Sequence, residues 1–168
     1  MPQRRLSKCA ESRAGVLDAI QKAVQALCDS GVEFVVIGGL AATFYGSAPS
    51  DLHLDICYSR ASPNLHRLTE ALAPFHPRPR GFPAHATLRN ATILTLQTDI
   101  GEMDLMAEVT GLVAFDDVKK HSMTVEAFER QFMTLDLPGL IQTKRASGRE
   151  KDLFALAELE SLMEGGEP

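Results

Sequence analysis

Residues 34–58 constrain the fold more than any other part of the sequence, which reads FVVIGGLAATFYGSAPSDLHLDICY over this segment. The first four residues form a short apolar run rich in β-branched side chains, which predicts a buried strand. Gly38 and Gly39 interrupt that strand, and residues 40–45 favour a short helix before a second break at Gly46. Residues 51–56 then alternate polar and apolar side chains. The segment therefore predicts a strand, a glycine turn, a short helix and a second strand.

The second predicted strand carries a row of polar side chains. Alternate side chains of a strand share a face, so Asp51, His53 and Asp55 are expected on one side, with apolar residues on the other. Carboxylates one residue apart on a strand can share Mg²⁺ ions, and Gly38 and Gly39 would let backbone N–H groups approach phosphates closely. This pattern indicates metal-assisted transfer of a nucleotidyl group. The same alternation is also typical of a strand at the edge of an ordinary hydrophobic core.

Two pieces of this segment, IGGLAATFYGS and LDICY, resemble the opening motif of the polymerase-β-like nucleotidyltransferase superfamily. They are most similar to the minimal bacterial nucleotidyltransferases of abortive-infection and toxin–antitoxin type. That family places Gly-Gly or Gly-Ser after a strand and Asp-x-Asp or Asp-x-Glu on the next strand. Here the first acid of the pair falls on His53, and positions that usually carry Arg and Thr are Pro49 and Asp51. The resemblance implies an α+β nucleotidyltransferase fold with a mixed sheet, helices packed on one face and a C-terminal helical segment.

The same resemblance implies an activity and its ligands. The expected reaction moves NMP from an NTP to a hydroxyl on a protein, a tRNA or a small molecule, with Mg²⁺ or Mn²⁺ as the cofactor. The expected partners are a nucleotide, an acceptor and a cognate antitoxin-like protein. The alternative is a catalytically degenerate protein of the same fold that binds a nucleotide or a partner protein without chemistry.

A third acid is expected on a neighbouring strand. Residues 91–96 predict one strand, residues 99–102 a hairpin turn that contains Gly, and residues 103–106 a second strand in which Asp104 is the one acid. A carboxylate among apolar residues needs a reason, because burying an unpaired charge is costly. In the family a third acid completes the metal site, and Asp104 in GEMDLMAEVTG falls where it is expected. The resemblance thus implies catalytic and metal-binding roles for Asp55, Asp104 and His53, with Asp51 as a further candidate ligand.

The basic residues between positions 140 and 153 also resemble a motif of this family. Residues 140–153 predict two helices joined at residues 147–148, and their cations would normally form a solvated face. The family carries a Lys shortly before an Arg-x-Lys-Asp motif, which Lys144 and residues 149–152 match. The resemblance implies that Lys144 and Lys151 point towards nucleotide phosphates and that Asp152 either pairs with a neighbouring cation or acts near the site. The nucleotide-binding residues implied in total are Gly38, Gly39, Lys144, Arg149, Lys151 and Asp152.

His53 leaves three interpretations of the metal site open. Asp51 could replace the missing acid, although a shift of two residues moves a carboxylate by about 7 Å along a strand. A softer metal ion could bind through His53, Asp55 and Asp104, because an imidazole suits Mn²⁺, Co²⁺, Ni²⁺ or Zn²⁺ better than Mg²⁺. In the third interpretation catalysis is lost and the fold remains as a binding module.

Composition limits the other function classes. The length of 168 residues predicts a single domain over residues 11–162, with flexible ends at 1–10 and 163–168. The net charge of −5 argues against general DNA binding, because a protein that binds the DNA backbone is usually basic. Its three cysteines are too few and too scattered for a disulfide framework or a zinc site. With no long apolar run and no apolar core after the basic start, we expect a cytoplasmic protein without a membrane segment or export signal.

The remaining segments predict structural elements. Residues 11–30 favour a helix whose apolar positions are Val16, Leu17, Ile20, Val24 and Leu27. Ser62 is expected to cap a helix that runs to about residue 73 and leaves His66 in solvent. Residues 73–83 hold four prolines and predict no regular element. Arg78 and Arg80 therefore either lie on a surface loop or reach over the cleft towards phosphate. His85 is given no role.

The C-terminal half predicts one short helix and two strands before the closing helices. Residues 111–120 favour a loop that runs into a short helix anchored by Phe115 and Val118. Strands are expected over residues 121–126 and 128–135. Asp136 is a predicted cap for the next helix, with Pro138 in its first turn.

Overall fold

The computed structural model of the chain describes residues 3–49, 51–79 and 88–165. The α-helices, in chain order, are α1 (Gln3–Asp29), α2 (Gly38–Thr43), α3 (Ser62–Leu72), α4 (Phe115–Lys120), α5 (Leu137–Ser147) and α6 (Glu150–Glu164), with a 3₁₀ turn at Ala73–Phe75. The strands are β1 (Phe34–Ile37), β2 (Leu54–Tyr58), β3 (Arg78–Pro79), β4 (Ile93–Thr98), β5 (Gly101–Met106), β6 (Glu108–Val109), β7 (Val113–Ala114), β8 (Ser122–Ala127) and β9 (Arg130–Leu135).

Seven of these strands form one mixed sheet in the order β3-β4-β5-β2-β1-β9-β8. Strand β1 runs antiparallel to β2 and parallel to β9, and β2 runs parallel to β5. The hairpins β4–β5 and β8–β9 are antiparallel. The predicted mixed sheet and α+β class are therefore confirmed. The central position of β1 and β2 explains why both are almost entirely buried.

Helix α1 covers one face of the sheet. Ile20, Val24 and Leu27 are buried as predicted, whereas Leu17 is 38% exposed and lies outside the core. The helix begins at Gln3 rather than near residue 11, and the flexibility predicted for residues 1–10 stays a prediction. No helix of the described ranges is long and apolar enough to cross a membrane.

The ends of the helices follow local sequence signals. Asp136 caps α5 by accepting a hydrogen bond from the Gly139 N–H (2.6 Å), with Pro138 in the first turn as predicted. Helices α5 and α6 meet at Gly148, whose φ of +63° is the left-handed conformation that glycine adopts most easily. The predicted cap of α3 is wrong by one residue: Ala61 occupies that position, and Ser62 begins the helix.

The proline-rich segment contains one strand that the sequence did not predict. Arg78 and Pro79 form β3, which pairs with β4 at the edge of the sheet. An edge strand tolerates proline, because the N–H that proline lacks can face away from the ladder. Arg80 and His85 lie outside the described residues. His66 is solvent-exposed as predicted and pairs with Glu70.

Candidate functional site

Two carboxylates meet on neighbouring strands near the middle of the sheet. Because β2 and β5 run parallel, Asp55 lies directly beside Asp104 in the register. On the other side of β5, Thr95 is the direct partner of Asp104, and its Oγ1 donates a hydrogen bond to Asp104 Oδ1 (2.5 Å). Thr95 therefore fixes the orientation of this carboxylate. Sequence reasoning did not assign it a role, although counting back from the hairpin turn would have placed it opposite Asp104.

His53 joins these two acids. It lies just before β2, and its Nε2 is 2.9 Å from Asp55 Oδ1 and 3.4 Å from Asp104 Oδ2. One ligand atom from each of His53, Asp55 and Asp104 lies within 4.8 Å of the others. The structure thus brings the three residues of the predicted metal site together. We call them the acid–histidine cluster.

Asp51 lies outside the acid–histidine cluster. Strand β2 begins at Leu54 rather than at residue 51, so the expected row of side chains does not continue back to Asp51. Its side chain is 90% exposed, and its Oδ2 is 4.0 Å from His53 Nδ1. The interpretation in which Asp51 replaces the missing acid therefore has no support in this geometry.

The charges of the cluster are strongly coupled. The carboxylates of Asp104 and Asp55, which lie close to its ring, raise the pKa of His53 to about 10, although burial opposes this. His53 lowers the pKa of Asp104, and Thr95 adds to the effect. Burial raises the pKa of Asp55, which His53 only partly offsets. The pKa values of the two carboxyl groups thus shift in opposite directions, and without a metal ion the imidazole is positively charged at neutral pH. A metal ion that binds a ring nitrogen of His53 therefore has to displace a proton.

The donor set of the cluster fits a divalent cation. Asp55 Oδ1 is buried and accepts no hydrogen bond of good geometry from the described residues, even though His53 Nε2 lies close to it. A buried anionic oxygen without a donor is costly, and a bound cation would satisfy it. Carboxylates suit Mg²⁺ or Mn²⁺, whereas the imidazole of His53 favours a transition metal such as Mn²⁺. These three residues can therefore hold a divalent metal ion.

Gly38 makes room for the Asp55 carboxylate. It has a φ of +66°, and a Cβ at this position would lie 2.3 Å from Asp55 Oδ2. A side chain here would thus be strained and would collide with the acid. Gly39 differs, because a Cβ there would make ordinary contacts with Pro49 and the Asp51 carbonyl at 3.5–3.6 Å. The sequence had suggested a phosphate-binding role for both glycines, and the packing gives Gly38 a role towards the acid.

Replacing Gly38 by Ala is expected to destabilise the protein and displace Asp55. The left-handed backbone and the overlap together should lower the free energy of unfolding by about 2–3 kcal/mol. Gly39→Ala is the matched control, because Ala is a better helix former and meets no close neighbour; it should leave stability unchanged or raise it by up to about 1 kcal/mol. Urea unfolding of both variants measures the difference. Equal stabilities would show that the Asp55 side chain relaxes without resistance.

A second charged group lies where α5 meets α6. Asp152 is buried, and its carboxylate accepts hydrogen bonds from Lys144 (2.8 Å), Ser147 (2.5 Å) and Arg149 (2.9 Å). Burial would raise its pKa, but the bonds from Lys144 and Ser147 outweigh burial and lower the pKa to about 2. Asp152 is thus an anion paired with neighbouring cations, which agrees with the first of the two roles that the resemblance implied. Ser147 was expected only as part of the junction between the two helices.

A cleft connects this charged group with the acid–histidine cluster. It has a volume of about 130 Å³, and its lining includes Gly38 and Asp55 on one side and Lys144 and Arg149 on the other. The positive charge of Lys144 also acts to lower the pKa of Asp55. Lys151 is exposed and is not among the described residues that line the cleft. Consecutive helical residues point in different directions, so Lys151 faces solvent while Asp152 is buried.

A larger cavity of about 830 Å³ lies on the opposite side of α5. Its lining includes Ile141, Gln142, Arg145 and Met163, and no residue of the acid–histidine cluster. Size alone would select this cavity as the binding site. The smaller cleft has the convergent charged groups that chemistry needs.

Comparisons with known proteins test the fold. No protein-family model matches the sequence, and a search among curated proteins finds no match. Among solved structures, a Thermotoga maritima protein described as a "putative nucleotidyltransferase" superposes with a TM-score of 0.57 at 17% identity. The match covers 89% of this chain and 94% of that protein. The chain therefore has a nucleotidyltransferase-type fold.

Proposed function

We propose that this protein is a metal-dependent nucleotidyltransferase that moves NMP from an NTP to a hydroxyl acceptor. The observation that carries the proposal is the placement of Asp55, which belongs to the acid–histidine cluster and also lines the cleft that holds Lys144. A site for a divalent cation thus adjoins a site for phosphates. Phosphoryl transfer depends mainly on positioning and on stabilising negative charge, and these two features supply both.

Each residue has a stated role in the proposed reaction. His53, Asp55 and Asp104 would hold a divalent metal ion, which would supply the positive charge that stabilises the phosphoryl oxygens. Lys144 and Arg149 bind the phosphates in the cleft. The acceptor oxygen bonds to the α-phosphorus, the bond to the β-phosphate breaks, and pyrophosphate leaves with the electron pair. The hydroxyl proton goes to Asp104 Oδ2, the oxygen that is not engaged by Thr95.

The metal that we favour is Mn²⁺. The resemblance implies Mg²⁺ or Mn²⁺, and Mn²⁺ accepts both the imidazole nitrogen of His53 and the carboxylate oxygens of Asp55 and Asp104. The resemblance to toxin–antitoxin nucleotidyltransferases also leads us to include a cognate partner protein and a protein, tRNA or small-molecule acceptor in the proposal. The predicted cytoplasmic location belongs to the same proposal.

One observation favours a second function. The imidazolium of His53 lies between the two carboxylates and neutralises part of their charge. A site whose charge is balanced from within has less need of a metal ion. The second candidate is therefore a binding module of the same fold, in which the cleft holds a nucleotide or a partner without chemistry.

The experiment compares the wild type with His53→Asp, which restores the pair of acids that the family carries. Calorimetry measures NTP binding with Mg²⁺ and with Mn²⁺, and transfer is followed with the four α-labelled NTPs. Transfer by the wild type, with greater activity in Mn²⁺ than in Mg²⁺, is the expected result. His66→Asp, at an exposed position on α3, is the matched control and should behave as the wild type.

The other outcomes separate the two candidates. A wild type that binds nucleotide without transferring label, beside a His53→Asp variant that transfers it, would support the binding module. If neither protein bound nucleotide or metal, the transferase and a nucleotide-binding module would both be rejected, and a module that binds a partner protein would be the one candidate left.

A further inference from the structure

The seven-stranded sheet ends in two unlike edges. One edge is β3, which consists of Arg78 and Pro79 and therefore offers little backbone to another strand. The other edge is β8, which pairs with β9 over six consecutive positions without a bulge. Its sequence, SMTVEA, contains no Pro or Lys, and Glu126 is its one charge. Natural proteins usually protect an edge strand with such residues, shorten it or cover it. Strand β8 is therefore the edge that is open to another strand.

The hairpin turn after β8 decides which of its backbone groups face outward. Phe128 and Glu129 both have positive φ angles (+54° and +58°), as in a two-residue type I′ turn, so the two residues that flank the turn exchange hydrogen bonds. Every second residue of β8 then bonds to β9. The N–H and C=O groups that point away from β9 belong to Ser122, Thr124 and Glu126, and no other described residue makes a backbone hydrogen bond to them.

The charges at the two ends of β8 favour an antiparallel partner. Lys119 lies just before the strand, is exposed, and has no ion pair among the described residues, whereas Glu126 is exposed at the other end. The neighbouring cations Lys120 and Arg130 already pair with acids, and Asp116 lies at the far end of α4. An antiparallel strand of the same sequence brings the Lys119 end of one copy to the Glu126 end of the other. A parallel strand would bring like charges together.

We propose that two copies of this chain pair through β8 about a two-fold axis, which joins their sheets. Centred on Thr124, the antiparallel register places this residue opposite Thr124 of the second copy, and Ser122 opposite Glu126. These are the outward-facing residues, and each such pair exchanges two hydrogen bonds. Met123, which is 44% exposed, comes to lie opposite Val125, so apolar side chains also meet. A register centred on Val125 would leave Ser122 opposite the hairpin turn, without a strand partner.

The proposed interface is separate from the acid–histidine cluster. In the order of the sheet, β9 and β1 stand between β8 and β2. Substitutions on β8 therefore leave the candidate metal ligands in place, and the inference does not rest on the proposed function. A strand edge buries less surface than a typical stable interface does. The dimer should therefore be weak, with a Kd on the order of 10 μM.

The test places charges at the two-fold axis. Thr124 is exposed, so Thr124→Lys and Thr124→Glu should each fold, but each homodimer would hold two like charges opposite each other. Sedimentation equilibrium of the full chain, over concentrations that bracket the expected Kd, measures the association. The wild type should dimerise, and each variant alone should have a Kd at least about tenfold higher. An equimolar mixture of the two variants should form a heterodimer with a Kd close to that of the wild type.

The matched controls carry the same charges away from β8. Ser161→Lys and Ser161→Glu, at an exposed position on α6, should dimerise as the wild type does, alone and when mixed. They separate the effect of charge at the proposed axis from the effect of net charge.

Thr124→Pro gives a second measurement by removing the central N–H. This N–H points away from β9, so the fold should be preserved, because an edge strand tolerates proline at such a position. The loss of two hydrogen bonds, one from each copy, should raise the dimer Kd about 10–30-fold. Thr124→Ala, which keeps the N–H, is the matched control and should stay within about threefold of the wild type.

The inference fails in any of three cases. A wild type that stays monomeric at every concentration would reject a second copy as the partner of β8. A dimer that persists unchanged in the Lys, Glu and Pro variants of Thr124 would place the interface elsewhere on the chain. If the Lys and Glu variants were monomeric and their mixture did not associate, Thr124 would not lie at the two-fold axis and the proposed register would be wrong.

Discussion

Asp55→Asn is expected to reduce nucleotidyl transfer about 10³-fold and to abolish tight metal binding, while leaving the protein folded. A metal ion stabilises transition-state charge by several kcal/mol, and each 1.36 kcal/mol is a factor of ten in rate. The Asn side chain has nearly the same size, so it fits beside Gly38, but it offers the metal no negative charge. Transfer of α-labelled NTP and calorimetric titration with Mn²⁺ measure the two effects.

The stability of this variant separates a chemical role from a structural one. Burial raises the pKa of Asp55, which means that the folded protein disfavours its ionised form. A neutral Asn should therefore leave the free energy of unfolding unchanged or increase it. Asp117→Asn, on helix α4, where the Asp117 side chain is 48% exposed, controls for the loss of one negative charge and should keep the activity of the wild type. A stable Asp55→Asn protein with full activity would remove Asp55 from the mechanism.

Asp152→Ala is expected to lower the free energy of unfolding by about 3 kcal/mol. The carboxylate is buried and pairs with Lys144, whose own side chain is 23% exposed, so its removal leaves a mostly buried cation without an anion. Arg149 contributes less, because it is 67% exposed and largely screened by water. Urea unfolding measures the loss. Glu158→Ala, at an exposed position on the same helix, should stay within about 0.5 kcal/mol of the wild type.

The pH dependence of stability gives an independent measure of the same group. The pKa of Asp152 falls from an ordinary value of 3.8 to about 2 on folding, so its contribution is complete above pH 4 and is lost as the pH falls through 2. This difference corresponds to about 2 kcal/mol. The wild type should lose this amount between pH 4 and pH 2, and Asp152→Ala should lose correspondingly less. Identical profiles for the two proteins would mean that Asp152 is not tied to its cations in solution.

The sequence predicted those parts of the site that depend on local pattern, namely the strand before Gly38 and the strand that carries Asp104. The apolar run before Gly38 predicted β1, and the hairpin turn after β4 placed Asp104 on a strand. The pairing of Asp55 with Asp104 depends on the parallel contact of β2 with β5, which no local pattern contains. That pairing came from the family resemblance, and the structure supplies its physical basis.

Other parts of the site depended on geometry that the sequence does not carry. Lys151 lies outside the cleft lining, because Asp152, its neighbour on α6, is the residue that turns inward, and its predicted contact with phosphate stays a prediction. The prediction that Asp51 shares a strand face with His53 and Asp55 is wrong, because β2 begins after His53 and leaves Asp51 in solvent. The ion pairs of Asp152 require the left-handed turn at Gly148, which brings Lys144 back over the start of α6.

The contact between Gly38 and Asp55 means that these two positions cannot vary independently. The space that a Cβ would need at position 38 is already occupied by a carboxylate oxygen from position 55. Shortening the acid removes the contacts with its carboxyl group and leaves only the Cβ of residue 55, at 3.3 Å, so Gly38→Ala in an Asp55→Ala background costs mainly the strain of the left-handed backbone, about 1–2 kcal/mol. The two substitutions are therefore non-additive, and their double-mutant cycle measures a coupling energy. A side chain at position 38 in the turn after β1 is therefore tolerated best when the acid at position 55 on β2 is lost as well.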